Sequence, residues 1–136
     1  MVETQLMQQE EKEVLVSPYG MQAYQILKFG FTVAPIIAGA DKFTNILVHW
    51  SQYMAPVFTH IIPASLFMPF VGVVEILAGL SVAIQPRFGG YIVSAWLGCI
   101  VINLLCIPGY YDIALRDFGL ALGALALGRL AQDYAD

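Results

Sequence analysis

Glu75 lies near the middle of residues 61–84, a run with no other charged side chain. Such a run is long enough to cross a bilayer, for which roughly 20 mainly apolar residues suffice. A carboxyl at that depth costs a few kcal/mol or more unless it is paired, protonated or turned into a protein interior. The chemistry open to it is proton exchange, a hydrogen bond or ion pair to a ligand, or a bond that fixes one helix against another. Gly72 at i−3 and Gly79 at i+4 share its helical face, so a second helix can come close beside it. Asn103 is the matching polar group of a later apolar run, between Cys99 at i−4 and Cys106 at i+3. It is expected to face Glu75 or a backbone carbonyl, a contact worth about 0.6–2 kcal/mol between membrane helices. The two cysteines stand about 10 Å apart along one helix, too far to bridge each other, and read as small packing residues.

A second group of polar residues gathers where apolar runs end. Asp41 and Lys42 close the first run, and Asp112, Arg116 and Asp117 open the last. Asp112 and Arg116 have the i,i+4 spacing of a helical ion pair, and the two helix ends are expected to share an ion-pair network that anchors them at the membrane surface. His49 and His60 stand eleven apart in the intervening loop, so no metal or haem site is expected. Gly119 and Gly123 form a GxxxG whose face Ala126 continues, which predicts close packing of the last helix on a neighbour. GxSxG, HExxH, CxxC and phosphate-binding glycine loops are all absent.

The elements that must position these residues are membrane helices. Of the 136 residues, 59% are hydrophobic and 12% charged, against about 45–50% and 25% in soluble domains. An all-α integral membrane bundle of four spans is predicted, at about 19–43, 61–84, 91–107 and 112–130, with no strand-like alternation. Pro35 is expected to kink the first span, and Lys28 to snorkel to the interface. Gln85, Pro86 and Arg87 are expected to form the second turn, with Gly89 and Gly90 opening the third span. Residues 1–18 form a polar acidic tail in which Glu3, Glu10, Glu11 and Glu13 face only Lys12; residues 131–136 form a short C-terminal tail. The tail has no basic start leading into an apolar stretch, so a signal peptide is not expected. Lys12, Lys28, Arg87 and Arg129 on one side outnumber Lys42 and Arg116 on the other, which predicts both termini in the cytoplasm. The net charge of −4, without a basic patch, argues against nucleic acid as a partner.

Leu27-Lys28-Phe29-Gly30 through Ile36-Ile37-Ala38-Gly39-Ala40-Asp41-Lys42-Phe43 resembles the first-span signature of the DoxX family of small four-helix membrane proteins. Gly72-Val73-Val74-Glu75-Ile76-Leu77-Ala78-Gly79-Leu80, followed by Arg87-Phe88-Gly89-Gly90, resembles the family's second span and turn. Tyr111-Asp112-Ile113-Ala114-Leu115-Arg116-Asp117 with its Gly/Ala/Leu run is similar to the family's last span. The resemblance covers residues 25–130. It implies a four-helix bundle in a bacterial-type inner membrane, an association with oxidoreductase systems including thiosulfate:quinone oxidoreductases, and Glu75 and Lys42 as the positions to watch. The acidic tail and the loop carrying His49 and His60 have no counterpart in that pattern.

Three functions are compatible with these features. The first is an accessory subunit that packs against other membrane subunits of a redox or electron-transfer complex, without a cofactor of its own. The second is a quinone-binding component of a membrane oxidoreductase. An apolar slot would hold the quinone, and Glu75, Asn103, or His60 with Tyr53 would meet its carbonyls. The third is a small proton-coupled transporter that uses Glu75.

Overall fold

The computed structural model describes residues 1–15 and 17–135, with only the backbone for 9–15; Val16 and Asp136, inside the two expected tails, lie outside the described residues. The protein is all-helical: α1 (Val2–Leu15), α2 (Pro18–Asp41), a 3-10 turn (Trp50–Tyr53), α3 (Pro56–Thr59), α4 (Ala64–Ile84), α5 (Pro86–Leu105) and α6 (Tyr111–Tyr134). Three of these, α2, α4 and α5, are long and apolar enough to cross a membrane. At about 1.5 Å per residue they reach about 30–36 Å, the thickness of a hydrocarbon core. The helix α6 matches α2 in length, but Asp112, Arg116 and Asp117 at one end and Arg129 and Asp133 at the other dilute its hydropathy.

Local chemistry accounts for the boundaries. Ser17 caps α2: its Oγ accepts from the backbone N–H groups of Tyr19 and Gly20 at 3.2 and 3.4 Å, and Pro18 opens the helix. The acidic N-terminal segment, expected as a tail, is the helix α1, in keeping with the helix propensity of its Glu and Gln residues. The expected turn at 85–87 is tighter than the sequence suggests. Only Gln85 lies outside a helix, because Pro86 occupies the first helical position of α5, where its fixed φ is preset. Gly89 and Gly90 are therefore inside α5 and serve contact rather than initiation. A Cβ on Gly89 would lie 2.5 Å from the Val82 backbone of α4, and one on Gly90 would lie 2.6 Å from the Gly128 nitrogen of α6.

Glycine also brings α2 onto α4. A Cβ on Gly39 would lie 2.5 Å from the Gly72 carbonyl oxygen, and one on Gly79 would lie 2.7 Å from the Thr32 carbonyl oxygen. The two ends of the bundle differ in their filling. The end carrying Ser17, Gln85 and Tyr134 holds the dry core: Val82, Val93, Ala124 and Leu127 are at most 2% exposed. There Tyr24 stacks on Tyr134 at 6.1 Å, and the Tyr134 hydroxyl donates to the Ser17 carbonyl at 3.3 Å. Arg87 donates to the carbonyls of Ala131 and Ala135 at 3.3 and 2.8 Å, satisfying the last turn of α6 with a cation. At the opposite end, the segment between α2 and α4 folds back over the bundle as a strap and buries Met54 and Ala55.

Candidate functional site

The strap is built on Asp41. Its Oδ1 accepts from the Thr44 hydroxyl at 2.9 Å and from the Ile46 N–H at 3.0 Å, Leu47 N–H donates to both oxygens, and Oδ2 accepts from the Trp50 indole N–H at 2.7 Å. Held this way, the Trp50 ring lies over Lys42, with Nζ 3.8 Å from the ring centroid, a cation–π contact. Lys42 Nζ in turn donates to Glu75 Oε2 at 2.7 Å, and the two side chains are 5% and 8% exposed. The second Glu75 oxygen faces the Trp96 indole N–H of α5 at 3.4 Å. The carboxyl that hydropathy places alone is thus one half of a buried ion pair with an indole on each flank. The close α2–α4 approach at Gly39 and Gly72 makes the pair possible.

Asn103 serves the strap, not Glu75. Its Nδ2 donates to the Tyr53 carbonyl at 2.5 Å, and its Oδ1 accepts from the Ala55 N–H at 2.9 Å. Of its two expected partners, the backbone carbonyl is the one found. The Tyr53 ring meets Tyr110 edge-on at 5.1 Å. The expected network between the end of α2 and the start of α6 is replaced by separate arrangements. Arg116 Nε donates to Asp117 Oδ1 at 3.2 Å rather than pairing with Asp112, and among the described residues no ion pair joins Asp41 or Lys42 to α6. Asp112 and Arg116 are exposed, whereas Asp117 is turned inward and is 7% exposed. The GxxxG of α6 divides: the Phe31 ring of α2 lies against Gly123, while a Cβ on Gly119 would meet nothing within 4 Å. Cys99 and Cys106 are exposed free thiols, and His49 and His60 are exposed on the strap.

Between the strap and the dry core lies a cavity of about 690 Å³. Its walls are apolar side chains of α2, α4, α5 and α6. Its polar lining groups are few: Lys42, Glu75, Asn103, Arg116, Asp117, the indoles of Trp50 and Trp96, and Tyr53. This is the pattern of a small-molecule site, mostly greasy with a few convergent polar groups. The Lys42 ammonium and the Trp96 indole N–H, which reaches Glu75 only at 3.4 Å, are donors suited to a carbonyl or other acceptor on an otherwise apolar molecule, whereas the Trp50 N–H is taken by Asp41. The Lys42–Glu75 couple is an acid–base pair in the same wall. His60, one of the residues considered for a quinone, does not line the cavity; Tyr53, Glu75 and Asn103 do.

From the sequence, Trp50 reads only as a headgroup-level aromatic of the loop, and Trp96 carries no role. A signal for Trp96 exists there: Glu75 lies ten residues before Gln85 and Trp96 eleven after it, so a tight helical hairpin sets them level. For Trp50 the sequence offers no comparable sign, because its position depends on the hydrogen bond to Asp41. No protein family, curated protein or solved structure matches the chain.

Proposed function

We propose that the protein is a DoxX-like, quinone-binding component of a membrane oxidoreductase. The observation that carries this reading is the apolar cavity with Lys42, Glu75 and Trp96 in its wall. Its volume of about 690 Å³ lies within the range of about 300–1,000 Å³ common for ligand sites, and its donors fit the carbonyl oxygens of a quinone. A bound quinone supplies two-electron, two-proton chemistry at those oxygens. The protein's part is to seat the ring in the apolar cavity beside the Lys42–Glu75 pair, offer the Lys42 and Trp96 donors to a carbonyl, keep water away, and hold an exchangeable proton on the Lys42–Glu75 couple. Electrons would be exchanged with partner subunits, which keeps the expected packing role within a larger assembly. The transporter alternative rests on Glu75 alone and draws no support from the rest of the lining.

The same reading places α6 in the membrane as a fourth span, with both termini on the cytoplasmic side of a bacterial-type inner membrane. Its support is the antiparallel packing of α6 along α5, the excess of Lys and Arg at the end with the termini, and the DoxX-like motifs of α2, α4 and α6.

Both tryptophans of the chain line the cavity, so their fluorescence reports occupancy directly. In lipid nanodiscs, decylbenzoquinone is expected to quench it saturably, and a second, non-quenching quinone analogue to reverse the effect. Quenching that only rises in proportion to added quinone would sink the proposal.

A further inference from the structure

We infer that the ligand enters the cavity sideways from the bilayer, through a portal between α2 and α6; the inference rests on the ligand-binding reading above. The terminal end of the cavity is closed by the dry core and by the Tyr24–Tyr134 stack. The other end is closed by the strap, whose Met54 and Ala55 are 7% and 0% exposed.

The four seams between neighbouring helices are unequal. Glycine contacts close α2 on α4 (Gly39 with Gly72, Gly79 with Thr32) and α5 on α6 (Gly90 with Gly128). Beyond Trp96 the strap bridges α4 and α5. Its Tyr53 and Ala55 backbone is bonded to Asn103 of α5, and its Phe58 ring stacks on Phe67 of α4 at 6.4 Å. The α2–α6 seam is closed toward the termini, by Gly20 and Tyr24 against Tyr134 and by the Phe31 ring on Gly123, and the cavity separates the two helices toward the strap.

The exposure pattern marks the mouth. Ile26, Gly30 and Ala34 recur every fourth residue on one face of α2, and all three both line the cavity and are exposed; Arg116 and Leu120 do the same on α6, whereas Phe58 of the strap and Cys99 of α5 do so singly. A Cβ on Gly30 would meet nothing within 4 Å. Ile26, Gly30 and Ala34 lie inside a helix apolar enough to span a membrane, so their exposed face meets hydrocarbon rather than water. From Ile26 to Lys42 is about 24 Å along the helix. That length suits an extended alkyl or isoprenoid tail along the Ile26–Gly30–Ala34 stripe with its polar ring near Lys42 and Trp96.

Stopped-flow quenching of tryptophan fluorescence by decylbenzoquinone in phosphatidylcholine nanodiscs tests the route. Gly30→Phe and Ala34→Phe put bulk at the mouth, and Gly98→Phe puts the same bulk on α5 in open space away from the lining. Association is expected to slow about tenfold or more in the first two and to stay within about threefold in the third. Unchanged association in both mouth variants, with saturable quenching retained, would overturn the portal and leave the ligand reading standing. So would acceleration by Asn103→Ala, which loosens the strap, in the absence of any effect at the mouth. Absence of saturable quenching in the unaltered chain would remove the ligand reading and the portal together.

Discussion

The Lys42–Glu75 pair is the residue-scale feature on which most else depends. Two charges taken out of water repel replacement of either one alone, because the survivor is left buried without a counter-charge, at about 3–5 kcal/mol. Replacing both with apolar side chains of similar volume removes the desolvation cost along with the attraction. Lys42→Met is therefore expected to lower unfolding stability in detergent by several kcal/mol, and Lys42→Met with Glu75→Leu to recover most of that loss while abolishing quinone-dependent quenching. A double variant as unstable as the single one would show that the pair organises more of the fold than its own two side chains. The need for this pair was legible in the sequence, since a carboxyl at hydrocarbon depth calls for a partner and Lys42 was one of the two positions to watch. Lys42, adjacent to Asp41 at a helix end, reads first as a surface anchor. Its inward turn follows from the Gly39–Gly72 approach and the covering Trp50 ring, neither of which is a matter of local sequence.

At the scale of elements, glycines set which helices touch, and the strap sets what covers them. Gly39→Ala would bring a Cβ to 2.5 Å from the Gly72 carbonyl oxygen, a backbone atom that cannot swing away. A loss of about 1–3 kcal/mol in unfolding free energy is expected from that overpacking. Gly98→Ala, which meets nothing within 4 Å, is expected to be neutral or to gain up to about 1 kcal/mol from helix propensity. The strap has its own test. Asn103→Ala leaves the Ala55 N–H buried without its acceptor, a cost of about 1–3 kcal/mol. Amide exchange at residues 53–55 is then expected to quicken by about tenfold or more relative to α5. The four long helices were readable from hydropathy, but their ends shift by up to five residues: α5 begins at Pro86 rather than 91, and α6 runs on to Tyr134 through residues expected as a tail. The strap was not readable as a cover. His49, Trp50, Tyr53 and His60 have the composition of a headgroup-level loop, and only the Asp41 and Asn103 hydrogen bonds draw its tryptophan and backbone inward. The GxxxG of α6 shows the opposite limit: the motif marks small residues, but Gly119 faces open space while Gly128, outside the motif, carries the Tyr91 contact.

For the molecule as a whole, the parity of crossings is the leading question. Four spans put Gln5 and Asp133 on one side of the membrane, and three put them on opposite sides. With Cys99 and Cys106 replaced by alanine, Gln5→Cys and Asp133→Cys are expected to react together with a membrane-impermeant maleimide in vesicles of one orientation. Reaction of one without the other would take α6 out of the membrane. The class of the protein was evident from composition, but the arrangement was not, because a lipid-facing leucine and a partner-facing leucine look alike in sequence.

The uneven filling of the bundle, solid at one end and hollow at the other, also bears on its heat resistance. Any molecule that fits the hollow in the folded chain and has nowhere to bind in the unfolded one shifts the folding equilibrium by mass action, by about 2.7 kcal/mol at a hundredfold excess over its dissociation constant. The melting temperature of this protein is thus a property of its surroundings as much as of its chain. It should climb with the mole fraction of a fitting isoprenoid in the bilayer and fall when a detergent strips that bilayer away.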